Sequence, residues 1–508
     1  MWKEVPPVVG ASSKRNNLYI SVGLKTQPHI SRIIAKLYDP FGPKAEYNHK
    51  EVLLMSKNKD KIEIQFIGMN SQEVTGSCIW IKTPSRQILL ELGLYQTCGN
   101  NSTLKQYKVN SEHFKFNPKE IDYIFVCHTH QDHLGNIPRA YQKGATCPLI
   151  MPEGTKAISE ILLLDSAKIM ASDAEELSQK YNRDYYPIYT EDDVYNSLSH
   201  QVEYPFNEMV QLDDCIKFRF LPSGHILNAA QLELFITCGN ITKKILYTSD
   251  LGNTHISRYY VSTFEPCNKA DIVIGESTYA REPKIANQKV REKDIEKLKT
   301  VVEQTCIENK HRLMIPVFAN SRCQEIMTVL YDIFHDDFMF KIPIIVDSPM
   351  AIRICEAYKN TLQGEDLRKW NEVLSWNNII FVSDSLTSKA WRDDKKPAIV
   401  LCSSGMVTQG RSVLWARKLL PDSGDRIVFC GYSAEGSIGS IIKEGKQHTI
   451  TIGGVRVKNK CQVTNLTSFS SHMQRDSLLQ YYGSIQCEKV ILVHGEMDGK
   501  IKFAEDLQ

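Results

Sequence analysis

His128-Thr-His130-Gln-Asp132-His133 carries three histidines and one aspartate in six residues, and its reading decides the fold. Before it runs Ile121-Asp-Tyr-Ile-Phe-Val-Cys127, whose β-branched and aromatic residues predict a buried strand. After it, Leu134-Gly-Asn-Ile-Pro-Arg-Ala-Tyr141 predicts the start of a helix. Side-chain direction alternates along an extended chain, so His128 and His130 project to one side. Asp132 and His133 lie beyond the bend and are free to serve a neighbouring ion. Neutral imidazole nitrogens and carboxylate oxygens are donors that zinc and other borderline first-row metals accept. A polar loop with hydrogen-bonded histidines is the plainer reading, but four such donors behind one strand favour a metal-binding turn.

The rest of the chain bounds what such a turn serves. With 508 residues, 42% hydrophobic and 24% charged, it has the make-up of a soluble globular protein of two or three domains. No apolar stretch reaches the length of a membrane span, and Met1-Trp-Lys-Glu-Val-Pro-Pro7 lacks the layout of a secretion signal. The 14 cysteines are scattered, none spaced as CxxC, and Cys127, Cys402 and Cys430 sit in apolar strands. This predicts reduced, core-filling thiols in a cytoplasm rather than a disulfide framework or a zinc finger. A net charge of +2 leaves any polyanionic substrate to a local groove, not to bulk charge.

From Ile62 the pattern is strand upon strand: Ile62–Ile67, Ser77–Lys82, Gln87–Leu92, Ile121–Cys127, Ile216–Leu221, Gln231–Thr237 and Lys244–Thr248. Thr155 to Ser199 reads as largely helical, with Ile158, Ile161, Leu162, Ala167, Ile169 and Met170 on its apolar face. After Tyr279 helix and strand alternate, which predicts a parallel sheet covered by helices. Near Asn465 the texture returns to that of the first domain. The expected division is an extension over 1–60, a first domain over 61–280, an inserted α/β domain over 281–459, and re-entry over 460–508. The extension is mildly basic, with 10 Lys and Arg against 5 Asp and Glu, and is read as a surface arm.

His225 follows a strand in Leu221-Pro-Ser-Gly-His-Ile, where a glycine permits close backbone approach, and Asp250 ends Lys244-Ile-Leu-Tyr-Thr-Ser-Asp250. The order HxHxDH, SGH, SDLGN resembles the metallo-β-lactamase superfamily. Gly275-Glu276-Ser-Thr-Tyr279, Ser468-Phe-Ser-Ser-His472 and Val493-His494-Gly-Glu496 resemble the acidic motif A and the histidine motifs B and C of its β-CASP nucleases. Phe318-Ala-Asn-Ser-Arg322-Cys-Gln-Glu325, Asp347-Ser-Pro-Met-Ala351, Ser403-Ser-Gly-Met406 and Gly431-Tyr-Ser-Ala-Glu-Gly436 are similar to that group's inserted domain. The likeness spans residues 62 to 508 and is strongest to compact prokaryotic RNA-degrading members, relatives of the mRNA 3′-end cleavage subunit.

The resemblance implies an α/β fold: an αββα sandwich with an inserted parallel-sheet domain. It also implies two zinc ions, one held by His128, His130 and His225, the other by Asp132, His133 and His494, with Asp250 bridging. His472, Glu276 and Asp132 are the implied catalytic residues, His472 as general acid oriented by Glu276. Ser403, Ser404 and Gly405 are expected to offer backbone N–H groups to a substrate phosphate. The implied reaction is hydrolysis of RNA phosphodiesters to 5′-phosphate and 3′-hydroxyl ends, in RNA processing or decay, with RNA as partner and no membrane. Endonucleolytic and 5′ exonucleolytic action both fit, and a homodimer is compatible with the sequence without being implied by it.

A DNA nuclease of the same group is the first alternative, against which His494 weighs. A catalytically silent RNA-binding scaffold is the second, against which the complete ligand set weighs. One position departs from the family: Glu91 stands where an aspartate closes the first motif strand. Its extra methylene is expected to tune the orientation of the ligand turn without abolishing metal binding.

Overall fold

The computed structural model describes residues 61–69, 73–99, 102–281, 286–431, 433–434 and 436–508, with the strand backbones at 19–22, 34–36 and 53–54. Most of the expected 1–60 extension lies outside the described residues, as do Tyr432 and Glu435 of the 431–436 stretch.

Alternation builds the first domain. Along Ile216–Pro222 the residues Ile216, Phe218 and Phe220 are buried while Lys217 and Arg219 are partly exposed. The neighbouring strand Ala230–Cys238 runs antiparallel, setting Ile236, Leu234 and Leu232 beside them. Facing this eight-stranded sheet is a seven-stranded one, whose Ile79, Ile81, Ile88, Leu90 and Phe125 share the same core. The Phe125 and Phe218 rings meet edge to face across it at 5.1 Å.

Helices close both outer faces. Leu163, Leu164 and Ala167 of Lys156–Tyr181 pack on Ile124, Val126 and Leu149 of the seven-stranded sheet. Leu478, Tyr482 and Phe503 from the helices Arg475–Ser484 and Met497–Asp506 cover Leu246, Val273 and Val490 of the other. The expected αββα sandwich is thereby formed. The largely helical stretch expected over 155–199 forms two helices, Lys156–Tyr181 and Glu191–Ser199. Asn182 turns left-handed (φ 48°) to end the first, and a reciprocal Thr190–Asp193 capping box starts the second.

Two strands at the heart of the eight-stranded sheet come from distant parts of the chain. Ile272–Glu276 and Lys489–Val493 run parallel, with Ile274 beside Ile491 and Glu276 beside Val493. Both are buried on both faces, so their near-continuous apolar runs suit an inner parallel position.

Between them the chain forms a six-stranded, wholly parallel sheet in the order 379–381, 344–347, 399–402, 313–316, 426–429, 462–465. Ile344, Val346 and Val428 enter one core beneath it, and Val400 and Phe429 the core on the opposite face. Gln462–Asn465 is its edge strand, so this sheet continues past the boundary expected at 459. A four-residue β-branched run reads alike in either sheet, and only its partner decides.

All 14 cysteines are free, and all but Cys98 and Cys215 are buried. Among the described residues no helix is long and apolar enough to cross a membrane.

Candidate metal centre

The carboxyl ends of strands from both facing sheets deliver the donors. His128 and His130 follow Tyr123–Phe125, and the short helix Gln131–Leu134 presents Asp132 and His133. His225 follows Ile216–Pro222, Asp250 follows Ile241–Tyr247, Glu276 ends Ile272–Glu276, and His494 follows Lys489–Val493. Two glycines make this convergence possible. A Cβ on Gly93 would lie 1.7 Å from the Asp132 carbonyl oxygen, and one on Gly252 would lie 1.9 Å from that of Gly224. No side chain fits at either crossing.

Seven predicted donors form one continuous cluster. His128 Nε2 and His225 Nε2 lie 3.2 and 3.3 Å from His130 Nδ1. Asp250 Oδ2 completes a four-atom group at 3.5 Å from His128 Nε2 and 3.4 Å from His225 Nε2. Its other oxygen, Oδ1, faces His133 Nε2 at 3.4 Å and His494 Nδ1 at 3.2 Å. Asp132 Oδ2 is 3.1 Å from His494 Nε2 and 3.7 Å from His133 Nε2. Asp250 thus touches both halves of the cluster.

The donor set fits a metal on three physical grounds. Separations of 3.2–3.5 Å match the edges of a tetrahedron with bonds of about 2.0–2.1 Å, the usual zinc–nitrogen length. Among the described residues, both ring nitrogens of His133, together with His225 Nδ1 and Asp250 Oδ1, are buried without a hydrogen-bond partner, an expense that folded proteins avoid unless something else satisfies them. Finally, burial and then neighbouring imidazoles hold His130 (at about 3), His133 and His225 below the ordinary histidine range, keeping them in the neutral, ligating form. His494 shifts the other way, to about 9: burial opposes its charge, but Asp250 and Asp132 outweigh it. The two carboxylates therefore favour positive charge between them.

Beside the cluster stands an imidazole outside the ligand groups. His472 Nδ1 is 3.3 Å from Glu276 Oε1, and its ring centroid is 4.5 Å from that of His225. Glu276 is itself fixed, accepting the Leu251 N–H at 2.8 Å and the Thr278 N–H at 3.2 Å. Burial disfavours the imidazolium of His472, yet the Glu276 and Asp250 carboxylates more than offset this and raise its pKa above the usual range.

The Ser403–Gly405 turn follows the strand Ile399–Cys402 of the parallel sheet. Among the described residues its hydrogen bonds stay within the parallel-sheet domain, to Ser348, Val407, Thr408, Gln409 and Ser412. The Ser404 N–H donates to the Gln409 carbonyl at 3.2 Å, so one of the three expected donors is already engaged.

Two family models match the chain: the β-CASP domain over residues 323–442 and the Zn-dependent metallo-hydrolase RNA specificity domain over 456–508. The chain belongs to the β-CASP group of the metallo-β-lactamase superfamily. Ribonuclease TTHA0252 of Thermus thermophilus is 29% identical over 84% of this chain and 91% of its own. Transcription termination factor FttA of Methanocaldococcus jannaschii is 27% identical over 88% of this chain and 69% of its own. Integrator complex subunit 11 of Danio rerio is 25% identical over 86% and 69%. The Zn-dependent family model and the histidine–aspartate groups agree on metal binding at this centre.

Glu91 occupies a telling position in this β-CASP protein. Its backbone is left-handed (φ 62°), a conformation that costs a non-glycine residue about 1–2 kcal/mol. The turn points a fully buried carboxylate at the ligands: Oε1 accepts from Cys127 N and Ser249 Oγ, each at 3.2 Å, and lies 3.6 Å from His133 Nδ1. Ser249 Oγ is in turn 3.1 Å from His128 Nδ1. Burial, opposed by those hydrogen bonds, pushes the Glu91 pKa well above the carboxylate range. Glu91→Gln is expected to weaken zinc affinity about 10- to 100-fold, the usual effect of losing a partner behind a ligand, with an unchanged circular-dichroism melt. Zinc titration with a competing chelator measures it, and wild-type affinity would remove Glu91 from any orienting role.

Sequence reasoning passed over three contributors to this β-CASP site. Thr278 Oγ1 stands 3.0 Å from His494 Nδ1. Asn320 of the inserted domain donates to Thr129 Oγ1 at 3.0 Å, tying that domain to the HxHxDH turn. Arg258 donates to the His225 carbonyl at 2.6 Å. Thr278 lies inside the quoted 275–279 motif and was within reach; an arginine bonding a carbonyl leaves no pattern.

Proposed function

We propose that this chain is a zinc-dependent ribonuclease that hydrolyses RNA phosphodiesters to 5′-phosphate and 3′-hydroxyl ends. The observation that carries the reading is the pairing, at one strand rim, of a two-part donor cluster with a separate His472–Glu276 couple. The relatives, a ribonuclease among them, point to RNA rather than another polyanion. His128, His130 and His225 would hold one zinc ion, Asp132, His133 and His494 the second, and Asp250 both. Such ions, when bound, supply Lewis acidity at the phosphoryl oxygens and lower the pKa of a water.

The remaining work falls to side chains. His472, kept protonated beside Glu276, gives its proton to the departing 3′ oxygen. Glu276 orients that imidazole and supports its charge through Oε1. Ser249 fixes the far nitrogen of His128, and Thr278 contacts His494 Nδ1 beside Asp250, which sets ring orientation and tautomer. The inserted domain, proposed to run from 281 to the end of the 462–465 strand, forms the second wall of an RNA cleft, with the Ser403–Gly405 turn on it as a phosphate contact.

Digestion of 5′-labelled RNA by purified protein, with and without chelator, tests the reading. Cleavage that stops with chelator and returns with zinc is expected. Cleavage of single-stranded DNA alone would shift the reading to a DNA nuclease, and chelator-resistant cleavage would reject it.

A further inference from the structure

Five consecutive residues, Ser468 to His472, are each gripped by another part of the chain. Asp294 Oδ2 accepts both the backbone N–H and the hydroxyl of Ser468 at 2.8 Å. The Arg291 guanidinium lies 3.8 Å from the centroid of Phe469. The Tyr279 and Ser470 hydroxyls are 2.6 Å apart. Ser471 Oγ accepts from Arg258 at 3.0 Å and Arg322 at 3.1 Å, while the Ser471 carbonyl accepts from the Asn253 N–H. His472 faces Glu276.

Three of these grips share one counter-charge. Glu325 binds Arg291 at 2.7 Å, pairs with Arg322, and lies 3.8 Å from Arg258 Nε, and all four side chains are buried. Burial opposes its charge, but the three guanidiniums prevail and hold the carboxyl at about 2. Arg322 and Glu325 sit on the helix Arg322–Phe334 and Arg291 on Gln288–Val302, both packed against the parallel sheet, whereas Arg258 precedes the strand Ile272–Glu276 of the sandwich. As a device for stability alone this is a poor one, because well-packed apolar residues often do as well as buried ions. What an apolar cluster would lack is the pair of hydrogen bonds to Ser471.

We infer that Glu325 is a positioning residue for His472: through Arg258 and Arg322 it holds Ser471, and so sets where the neighbouring imidazole stands. The inference rests on the reading of His472 as proton donor. It also makes the inserted domain part of the acid's mounting, so that the parallel-sheet domain contributes to the rate and not only to RNA binding.

Two variants test it, read by steady-state kinetics on RNA with zinc content measured. Glu325→Gln removes the anchor but leaves three arginines poorly balanced and risks the fold. Ser471→Ala removes only the hydroxyl that the arginines hold. Ser471→Ala is expected to lower kcat about tenfold, in line with the sensitivity of rate to small misplacements, with KM and zinc content unchanged. In a His472→Ala background the same change is expected to alter kcat less than about twofold, since the two act through one group. A wild-type kcat in Ser471→Ala, an effect on KM alone, or an equal loss in both backgrounds would overturn the inference. Full activity of His472→Ala by itself would instead reject the proton-donor reading, and the two failures are distinguishable.

Discussion

Asp250→Ala is expected to empty both halves of the metal centre and to lower kcat on RNA by at least about 10³-fold. Its two oxygens face different donor groups, Oδ2 the His128 and His225 nitrogens at 3.5 and 3.4 Å, Oδ1 those of His133 and His494 at 3.4 and 3.2 Å. Metal assistance contributes several kcal/mol to a hydrolysis, and each 1.4 kcal/mol is tenfold in rate, which sets the scale. His128→Ala, by contrast, is expected to deplete chiefly the half built with His130 and His225. Elemental analysis of the two variants separates the cases. Equal zinc content in Asp250→Ala and wild type would show that Asp250 bridges nothing.

His472→Ala is expected to keep its zinc and lose about 10²–10⁴-fold in kcat, the range for a positioned general acid. The imidazole belongs to none of the clustered donor groups, and its 3.3 Å contact is with Glu276. Glu276→Gln keeps the geometry but removes the charge supporting the imidazolium, and is expected to fall between wild type and His472→Ala. Zinc loss in His472→Ala would place it among the ligands; an unchanged kcat would leave the 3′ oxygen to another donor.

The HxHxDH turn could be read because its chemistry is contiguous, strand, donors and helix within about twenty residues. His494 is another matter. It meets Asp132 across 362 positions, and nothing in periodicity or composition pairs them. Its place followed from family resemblance, as did Glu276 and His472. The edges of the first domain were legible where alternation is strict, as in Ile216–Pro222, and not where strands are buried on both faces, as in Ile272–Glu276. Gln462–Asn465 shows a further limit, since strand character does not say which sheet a strand joins. Glu91 was recognised as a departure, but its left-handed backbone could not be foreseen, because a glutamate there carries no turn signal. The arginines around Glu325 were equally silent: buried charge is invisible in sequence until its partners are known.

The ends of the RNA products test the proposed chemistry most directly. Attack by water with proton donation to the 3′ oxygen leaves a 5′-phosphate and a 3′-hydroxyl, and needs no RNA 2′-hydroxyl as nucleophile. Mass spectrometry of a short RNA digested by the zinc-loaded protein is therefore expected to show 5′-phosphate and 3′-hydroxyl ends only. Products ending in 2′,3′-cyclic phosphate would contradict it.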